Sequence, residues 1–376
     1  MTLKTDLLIV GAGPFGLALA AGAKHDGIDH IVVGKSMEFW RRNMPKGMFL
    51  RSACDWHLDP QNVHTIEAYL QTLNKTSRDV EPLSLELYLA YVDWFQKQKQ
   101  IEPTRSYIER LDLHNSAFVA TTVEGETIDA RRVVLAPGFK HFAHVPDELR
   151  AKLPPDCFQH TCDFVDFKHA RGRRFLIVGG RQSAFEWAAL LRDAGAIEVH
   201  IAHRHASPAF AVADWSWVTP LVERIENDPG WFRRLSRDEK DEISRRLWAE
   251  GRLKVEPWLE ARLYDRVKVW EKTEIERCVI GGLEVRLTNG RSVNVDQVVL
   301  ATGYKVDVAR LPYLSAGNLL ETLETKNGFP VLDESFQTSI PGLFITSMPA
   351  VQDFGPYFGF TIAVRASANI IAKALR

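Results

Sequence analysis

Apolar residues along the chain fall into short runs that alternate with segments of helical periodicity. The first run, at residues 6–10, leads into a glycine-rich turn and then into a helix of small residues from Leu17. Short apolar runs bounded by turn residues are typical of buried parallel strands, and their alternation with helices predicts an α/β protein. Further strands are predicted at residues 30–33, 117–121, 132–136, 173–178, 198–203, 283–287, 297–301 and 343–346, and helices at residues 83–99 and 361–375.

The first glycine-rich turn has the complete G-x-G-x-x-G pattern, with Pro14 and Phe15 between its second and third glycines. It follows a strand and opens a helix, which is the context that the pattern requires. Gly11 allows the tight turn, Gly13 lets the backbone approach a pyrophosphate, and Gly16 lets the helix pack closely on the strand. The turn therefore predicts a dinucleotide bound at a helix N-terminus. The alternative is a glycine-rich turn that closes an ordinary α/β unit.

A second, weaker copy of this layout spans residues 174–191. Gly179 and Ala184 keep the first and last small residues, but Arg181 replaces the middle glycine. The Arg181 side chain could block a dinucleotide, or its guanidinium could pair with the phosphates. Two dinucleotide units in one chain predict electron transfer between two cofactors. The candidate nucleotide contacts of this copy are Gly179, Arg181, Gln182, Ser183, His203 and Arg204.

His203 and Arg204 follow the predicted second strand of this unit. In NADP sites a cation at this place meets the adenosine 2′-phosphate. The two residues therefore favour NADPH over NADH as the second cofactor. The alternative for Arg204 is an ordinary solvated charge, and a structural second domain without a nucleotide is also open.

The composition restricts the function classes. The 376 residues are 45% hydrophobic and 25% charged, as in an ordinary globular protein that is long enough for two domains. A net charge of -1 gives no electrostatic case for a nucleic-acid partner, and no apolar run reaches the length of about 18 residues that a membrane span needs. The cysteines at 54, 157, 162 and 278 form no C-x-x-C and no metal-ligand spacing. We expect a cytoplasmic protein with reduced thiols and no metal.

Three short motifs outside the turns carry a family resemblance. Residues 39–41 place a tryptophan after the second strand, residues 159–161 read Gln-His-Thr before the second unit, and residues 300–304 contain Ala-Thr-Gly. Together with the first turn, these motifs resemble the two-dinucleotide-binding-domain flavoproteins. Within that group the chain is most similar to the flavin-containing and N-hydroxylating (class B) flavoprotein monooxygenases, over nearly its whole length.

The resemblance implies two Rossmann-like domains, of which the second is inserted in the first. It implies an FAD-binding domain at residues 1–165 and 296–376 and an NAD(P)H-binding domain at residues 166–295, with a Trp-rich helical insertion at residues 214–262. In the family, NADPH reduces FAD, and molecular oxygen then forms a hydroperoxyflavin that oxygenates a soft nucleophile. The expected reaction is the oxygenation of a nitrogen or sulfur centre of a small molecule.

Two alternatives to a monooxygenase stay open. One is an NAD(P)H-dependent flavin reductase or dehydrogenase that inserts no oxygen, such as a ferredoxin or small-thiol reductase. The other is a flavoprotein whose second nucleotide site is not functional because of Arg181. The lack of C-x-x-C in the sequence weighs against disulfide chemistry of the thioredoxin-reductase type.

The resemblance also assigns flavin contacts to residues 40–52, because the matching loop in relatives lies beside the flavin ring. A reduced, anionic flavin needs positive potential, which Arg51 would supply. Lys35 follows Gly34, where the family has an acidic residue on the ribose, and could serve the adenosine half. The alternative is a surface loop with a core tryptophan. The candidate FAD contacts beyond the turn are Lys35, Trp40, Arg41, Met48, Arg51, Asp353 and Tyr357.

The remaining candidates lie near the C-terminal helix and in the insertion. Asp353 and Tyr357 precede a helix whose N-terminus, in relatives, points at the flavin pyrimidine ring; the alternative is an aromatic packing turn. Arg51, His57 and Asp59 are the candidate catalytic residues, the last two as proton carriers. The tryptophans of the insertion could line a substrate pocket, form a helical core, or form the contact face of a homo-oligomer.

Overall fold

The computed structural model describes residues 2–279 and 283–376. In these ranges two mainly parallel β-sheets are covered by helices, which confirms the predicted α/β class. No helix of the same ranges is long and apolar enough to cross a membrane. The strands are β1 Thr2–Val10, β2 His30–Val33, β3 Ile108–His114, β4 Ala117–Thr122, β5 Thr127–Leu135, β6 Phe158–His160, β7 Arg174–Val178, β8 Glu198–His203, β9 Ala209–Phe210, β10 Lys254–Val255, β11 Lys268–Glu271, β12 Ile275–Val279, β13 Glu284–Leu287, β14 Ser292–Asn294, β15 Gln297–Leu300, β16 Thr325–Lys326, β17 Phe329–Pro330 and β18 Leu343–Ile345. The helices are α1 Pro14–His25, α2 Glu38–Arg42, α3 Ile66–Thr72, α4 Leu85–Lys99, α5 Asp147–Lys152, α6 Gln182–Asp193, α7 Thr219–Asn227, α8 Trp231–Arg234, α9 Arg237–Leu247, α10 Glu260–Leu263, α11 Pro312–Ser315, α12 Val351–Phe354 and α13 Val364–Leu375.

The first sheet has the strand order β2-β1-β5-β4-β3, and β18 pairs with β5. β1 runs parallel to both β2 and β5, and its apolar run is buried because the sheet is covered. α1 is buried from Pro14 to Ala23 and packs against α13. Their contact is close: a Cβ added to Gly22 would lie 3.7 Å from the Cβ of Ala372. The first glycine-rich turn therefore opens a helix that is fixed inside the core.

The second sheet has the order β11-β8-β7-β15-β6, and all of its pairs are parallel. Its strands fall in sequence between β5 and β18, so the chain leaves the first sheet and later returns to it. β6 (Phe158–His160) pairs with β15, although it precedes the predicted boundary at residue 166. The exact domain boundaries stay a prediction.

The segment between β9 and β10 contains the helices α7, α8 and α9, followed by a π-helical turn at Trp248–Arg252. β9 and β10 pair in parallel and so hold the two ends of the segment together. Its tryptophans lie in different environments. Trp231 is buried, Trp215 and Trp217 are half-buried, and Trp248 is 42% exposed.

Element bounds differ from the predictions mainly at their ends. The predicted strand at residues 6–10 begins at Thr2, because four more residues pair with β5. The predicted helix at residues 361–375 begins at Val364, since Thr361–Ala363 form a 3₁₀ turn. β13 and β14 form the predicted hairpin around the Asn289–Gly290 turn.

Candidate cofactor sites and active site

The first glycine-rich turn is tight on its protein side and open on the other. A Cβ on Gly11 would lie 2.3 Å from the carbonyl oxygen of Ala136, and a Cβ on Gly16 would lie 1.8 Å from that of Gly11. A Cβ on Gly13, by contrast, would meet no atom within 4 Å. Gly13 caps α1 without a side-chain hydrogen bond, so the first N–H groups of the helix face this open side. The arrangement fits an anionic pyrophosphate.

The second turn repeats this backbone. A Cβ on Gly179 would lie 2.4 Å from the carbonyl oxygen of Ala301, and Gly179 has a φ of 140° where Gly11 has 114°. Arg181 caps α6 with φ −120° and ψ −179°, close to the φ −84° and ψ −172° of Gly13. An extended backbone is open to any residue. Arg181 therefore occupies the middle position of the turn without backbone strain.

The Arg181 side chain extends toward the insertion. Its Cζ lies 5.1 Å from the centre of the Trp248 ring, and its Nη1 lies 3.4 Å from Nδ1 of His205. Burial and the charge of Arg204 lower the pKa of Arg181. Its guanidinium thus lies beside the turn with its charge uncompensated by an ion pair in the described part of the chain.

The other residues predicted to contact the nucleotide have different surroundings. Gln182 donates to Glu186 (3.1 Å) and accepts from the Glu256 N–H (3.0 Å), so protein groups already bind it. His203 is buried, and burial lowers its pKa, so its imidazole is neutral at neutral pH. Ser183 and Arg204 are exposed. Of the predicted pair, Arg204 is the residue that carries a positive charge.

The end of β2 explains the missing acidic residue. A Cβ on Gly34 would lie 2.8 Å from the backbone nitrogen of Ala12, and its φ is 152°. The chain at this position presses on the first turn, so only glycine fits. The next residue, Lys35, places its Nζ 4.5 Å from the centre of the Tyr107 ring.

In the segment predicted as a loop beside the flavin, Trp40 and Arg41 belong to α2, and Met48 follows the helix. Trp40 packs on Tyr88 with ring centres 4.9 Å apart, and Arg41 is exposed and pairs with Asp93 on α4. Met48 is half-buried against the core. Arg41 is thus directed toward α4 at the surface.

Arg51 connects this loop to the second half of the molecule. Its Nε donates to Oε1 of buried Glu256 (2.7 Å), and its Nη2 donates to the carbonyl of Gly251 (2.9 Å). Both partners lie beside β10. The Arg51 guanidinium therefore holds the loop against the insertion in a fixed orientation.

His57 and Asp59 are both buried. His57 contacts the Arg365 guanidinium, and burial together with this positive charge lowers the pKa of His57 to about 4. Asp59 accepts hydrogen bonds from the backbone N–H groups of Val63 and His64, among others, and pairs with Lys99 at 2.7 Å. These contacts fix the loop, and a catalytic role for either residue stays a prediction.

Before α13, Asp353 lies in the short helix α12 and Tyr357 lies in a 3₁₀ turn. Asp353 Oδ2 accepts the N–H of Leu332 (2.9 Å), and burial raises the pKa of this carboxyl. Tyr357 is buried, and its hydroxyl has no hydrogen-bond partner among the residues that the structure describes. A buried hydroxyl without a partner fits a position beside a bound group.

Sequence reasoning named Arg51, Arg181 and the tryptophans of the insertion separately. It missed Arg252, and it missed that these residues meet between the loop, the second turn and the insertion. We call this set, defined below by its residues, the cationic–aromatic cluster. The Cζ of Arg252 lies 5.4 Å from the Trp248 ring centre and 5.5 Å from that of Phe360. Trp248 and Arg252 are four residues apart on a helical turn, a spacing that could have indicated a shared face. The cluster consists of Arg51, Arg181, Trp215, Trp248, Arg252 and Phe360.

The four cysteines are free thiols in the structure. Cys54 and Cys162 are buried, and burial raises the pKa of each thiol to about 12. These two thiols are therefore protonated and unreactive at neutral pH. Within the described ranges, no group of three or more His, Cys, Asp or Glu residues could hold a metal ion.

Two mainly parallel sheets, with glycine-rich turns after β1 and β7, define a protein built from two dinucleotide-binding units. Residues 8–228 match the family model described as pyridine nucleotide-disulphide oxidoreductase. This match covers more than half of the chain, and the protein belongs to that family.

Two curated proteins and a solved structure specify the relationship. A ferredoxin–NADP reductase of Gluconacetobacter diazotrophicus is 27% identical over 67% of this chain and 61% of its own length. A probable indole-3-pyruvate monooxygenase of Arabidopsis thaliana, YUCCA9, is 24% identical over 86% of this chain and 79% of its own length. The chain spans less than two thirds of the ferredoxin–NADP reductases that it matches, namely 61% and 58% of two of them.

The solved structure is an ornithine N-hydroxylase of Kutzneria sp. 744. It superimposes with a TM-score of 0.81 at 17% identity and covers 99% of both chains. At this identity the likeness concerns the fold. The superposition confirms the predicted two-domain architecture. It also confirms that the fold resembles that of the N-hydroxylating flavoprotein monooxygenases.

Proposed function

We propose that this protein is an FAD-dependent, NADPH-using monooxygenase that oxygenates a nitrogen or sulfur centre of a small molecule. The observation that carries the proposal is the pair of equivalent glycine-rich turns, one on each sheet. Each turn opens a 12-residue helix and is shaped by contact with an alanine that follows the neighbouring strand. Two such units in one chain suit a hydride donor and a hydride acceptor.

The first turn fits the pyrophosphate of FAD, because the side of Gly13 is open and the N-terminus of α1 faces it. Bound there, FAD would supply hydride acceptance and oxygen activation, which side chains do not provide. Backbone N–H groups of the turn would hold the phosphates, and Arg51, whose charge is paired with Glu256, would lie in a fixed orientation beside the flavin. The residues that would surround FAD are Gly11, Gly13, Pro14, Phe15, Gly16, Lys35, Trp40, Met48, Arg51, Asp353 and Tyr357.

The second turn would bind NADPH. Gly179 keeps the tight turn, Arg181 would pair with the pyrophosphate, and exposed Arg204 would meet the 2′-phosphate. Ser183 is exposed at the start of α6 and is available to the same phosphates. The charge of Arg181 thus substitutes for the close backbone approach that a glycine would allow.

Oxygenation is favoured over disulfide reduction by the burial of two of the four thiols and by the aromatic cover. Buried Cys54 and Cys162 cannot act as a redox dithiol. Trp215 packs against both Trp56 and Phe360, with ring centres 6.0 and 6.1 Å apart, and so covers the first domain with apolar surface. Such a cover excludes water from a reactive centre. A cytoplasmic location and homo-oligomerisation belong to the proposal as predictions.

The first experiment is anaerobic mixing of the FAD-loaded protein with NADPH and, separately, with NADH, while the oxidised flavin band is followed. We expect bleaching that needs less NADPH than NADH, because Arg204 binds the 2′-phosphate. Oxygen is then admitted together with small amines and sulfides, and oxygenated products are sought by mass spectrometry.

Each alternative gives a different result. Bleaching by neither nucleotide would mean that Arg181 closes the second site, and the NADPH-dependent mechanism would be abandoned. Bleaching followed by electron transfer to a ferredoxin or a disulfide, without an oxygenated product, would indicate the reductase that the ferredoxin–NADP reductase relatives suggest.

A further inference from the structure

We infer that the cationic–aromatic cluster selects a small organic anion, a carboxylate or phosphate carried on an apolar body, and that Arg252 binds its anionic group. This inference rests on the proposed function only in treating that anion as the substrate. It assigns a ligand class to Arg252 and the aromatic rings beside it, which lie outside the glycine-rich motifs.

Arg252 is an exposed residue with two aromatic rings beside its guanidinium. It lies at the end of the π-helical turn, between the rings of Trp248 and Phe360. Its side chain is reached by solvent, and yet enough protein surrounds it that desolvation is the largest effect on its pKa. An accessible guanidinium held between two aromatic rings keeps its N–H groups directed by packing.

The charge of the cluster is not balanced. Arg51 pairs with Glu256, but within residues 2–279 and 283–376 neither Arg181 nor Arg252 forms an ion pair. The charged groups that shift the pKa of Arg252 are Arg51 and Arg181, and both lower it. An anion bound among these guanidinium groups would offset their mutual repulsion.

The apolar walls supply the second half of the recognition. Trp215 contacts Phe360 and lies 5.6 Å from the Arg51 Cζ, so its ring borders the charged groups. Its indole N–H is buried and has no acceptor in the described part of the chain. A buried donor without an acceptor costs free energy unless a ligand satisfies it. An anion carried on an apolar body would satisfy both the donor and the walls.

The nucleotide is the competing source of an anionic group, and its place differs. Arg181 belongs to the second turn itself. Arg252 belongs to the insertion and contacts Phe360 as well as the Trp248 ring that Arg181 also faces. Phe360 belongs to the segment that precedes α13 in the first domain. Arg252 therefore lies between the first domain and the insertion, where a substrate would approach the flavin.

The test measures binding to the oxidised, FAD-loaded protein without turnover. Calorimetric titrations use 3-phenylpropionate, its uncharged amide 3-phenylpropionamide, and NADP+. We expect the wild-type protein to bind the carboxylate at least tenfold more tightly than the amide. Arg252→Gln should abolish this preference and change NADP+ affinity less than twofold, and Arg252→Lys should keep part of the preference.

Arg246→Gln is the matched control. Arg246 also stacks on a tryptophan of the insertion, with its Cζ 4.6 Å from the Trp217 ring centre, but it is exposed outside the cluster. This variant should bind all three ligands as the wild type does. Equal binding of carboxylate and amide by the wild type would overturn the inference. So would a loss of NADP+ rather than carboxylate affinity in Arg252→Gln, because the site would then belong to the nucleotide.

The outcome of this test does not depend on whether the proposed function is correct. The titrations contain no electron donor, so a protein that NADPH cannot reduce could still prefer the carboxylate. Flavin content and melting temperature of each variant show whether it has folded.

Discussion

The two glycine-rich turns share a backbone but differ in the side chain that faces the ligand. Gly11 and Gly179 both have φ above 100° and both press on the alanine after the neighbouring strand. At the middle position, Gly13 leaves open space while Arg181 fills the equivalent place and reaches Trp248. Contacts with the neighbouring strand thus fix the turn itself. The open side is free to change with the ligand.

The helices that follow the turns differ in the same way. In α1 the residue two positions after Gly16 is Ala18, which is fully buried in an apolar core. The equivalent residue of α6 is Glu186, which is 1% exposed and 3.9 Å from Arg262. Through Gln182 and Glu256, this carboxyl is linked to Arg51 of the first domain. The helix of the first unit is therefore held by apolar packing, whereas the helix of the second unit is connected to the first domain by hydrogen bonds and an ion pair.

The largest expected effect comes from replacing the middle glycine of the first turn with arginine, the residue at this place in the second turn. Gly13→Arg should remove FAD completely, because the open space that the pyrophosphate needs would be filled. The protein should still fold, since Gly13 has an extended backbone and a Cβ there would meet no atom. The measurement is the ratio of flavin to protein absorbance, with circular dichroism to monitor folding.

Gly13→Ala is the graded control for this variant. A single methyl group should weaken FAD binding but leave part of the flavin in place. Stoichiometric flavin in Gly13→Arg would show that an arginine at this position is compatible with a pyrophosphate-bound turn, and the two turns would then differ less than their sequences suggest.

The next effect concerns the buried carboxyl of α6. Burial raises the pKa of Glu186 from 4.5 to about 7, against the opposing charge of Arg262. Between these values the folded protein keeps a proton that the unfolded chain releases, so stability falls as pH rises from about 4.5 to 7. A shift of this size corresponds to about 3 kcal/mol. Glu186→Gln cannot titrate, and its stability relative to the wild type should rise between pH 5 and pH 8 in urea unfolding.

Glu198→Gln provides a control with the opposite sign. A hydrogen bond from Lys268 lowers the pKa of Glu198, so the folded protein releases this proton more easily than the unfolded chain. Its contribution to stability is present above the unfolded pKa and is lost as pH falls. A pH-independent difference between Glu186→Gln and the wild type would mean that Glu186 ionises normally.

Patterns with a local cause could be predicted from the sequence. The first turn, β2, β8 and the hairpin at β13–β14 follow from glycine positions and apolar runs, and β8 has the predicted bounds. Element ends were less predictable, because pairing with a distant strand lengthens β1. The sequence does not explain the missing acidic residue after β2. The structure does, because a side chain on Gly34 would clash with the backbone of Ala12.

Contacts between distant segments could not be predicted. Arg51 was selected as a flavin contact, but the sequence does not show that Glu256, 205 residues away, binds it. Trp215 and Trp217 have the spacing of residues on one face of a strand, and yet they lie in a turn with different partners. The cationic–aromatic cluster brings together four separate segments, so no local pattern could reveal it as a whole.

The smallest expected effect tests whether Arg181 assists or obstructs the nucleotide. Arg181→Gly converts the second turn to the glycine pattern of the first, and its extended backbone accepts glycine without strain. We expect NADP+ affinity to fall about tenfold, because a charge-assisted hydrogen bond to phosphate contributes about 1.5–3 kcal/mol and the shorter backbone approach recovers only part of it. Calorimetric titration of the oxidised protein measures the change.

Arg181→Lys separates the charge of this residue from its shape. Lysine keeps the positive charge but loses the planar, two-pronged geometry, so its affinity for NADP+ should lie between those of the wild type and Arg181→Gly. Tighter binding by Arg181→Gly than by the wild type would show that the guanidinium obstructs the site. In that case Arg181, stacked on Trp248, would itself fill the nucleotide site of the second turn. The two turns would then differ in whether the site is open, and not in the ligand that it binds.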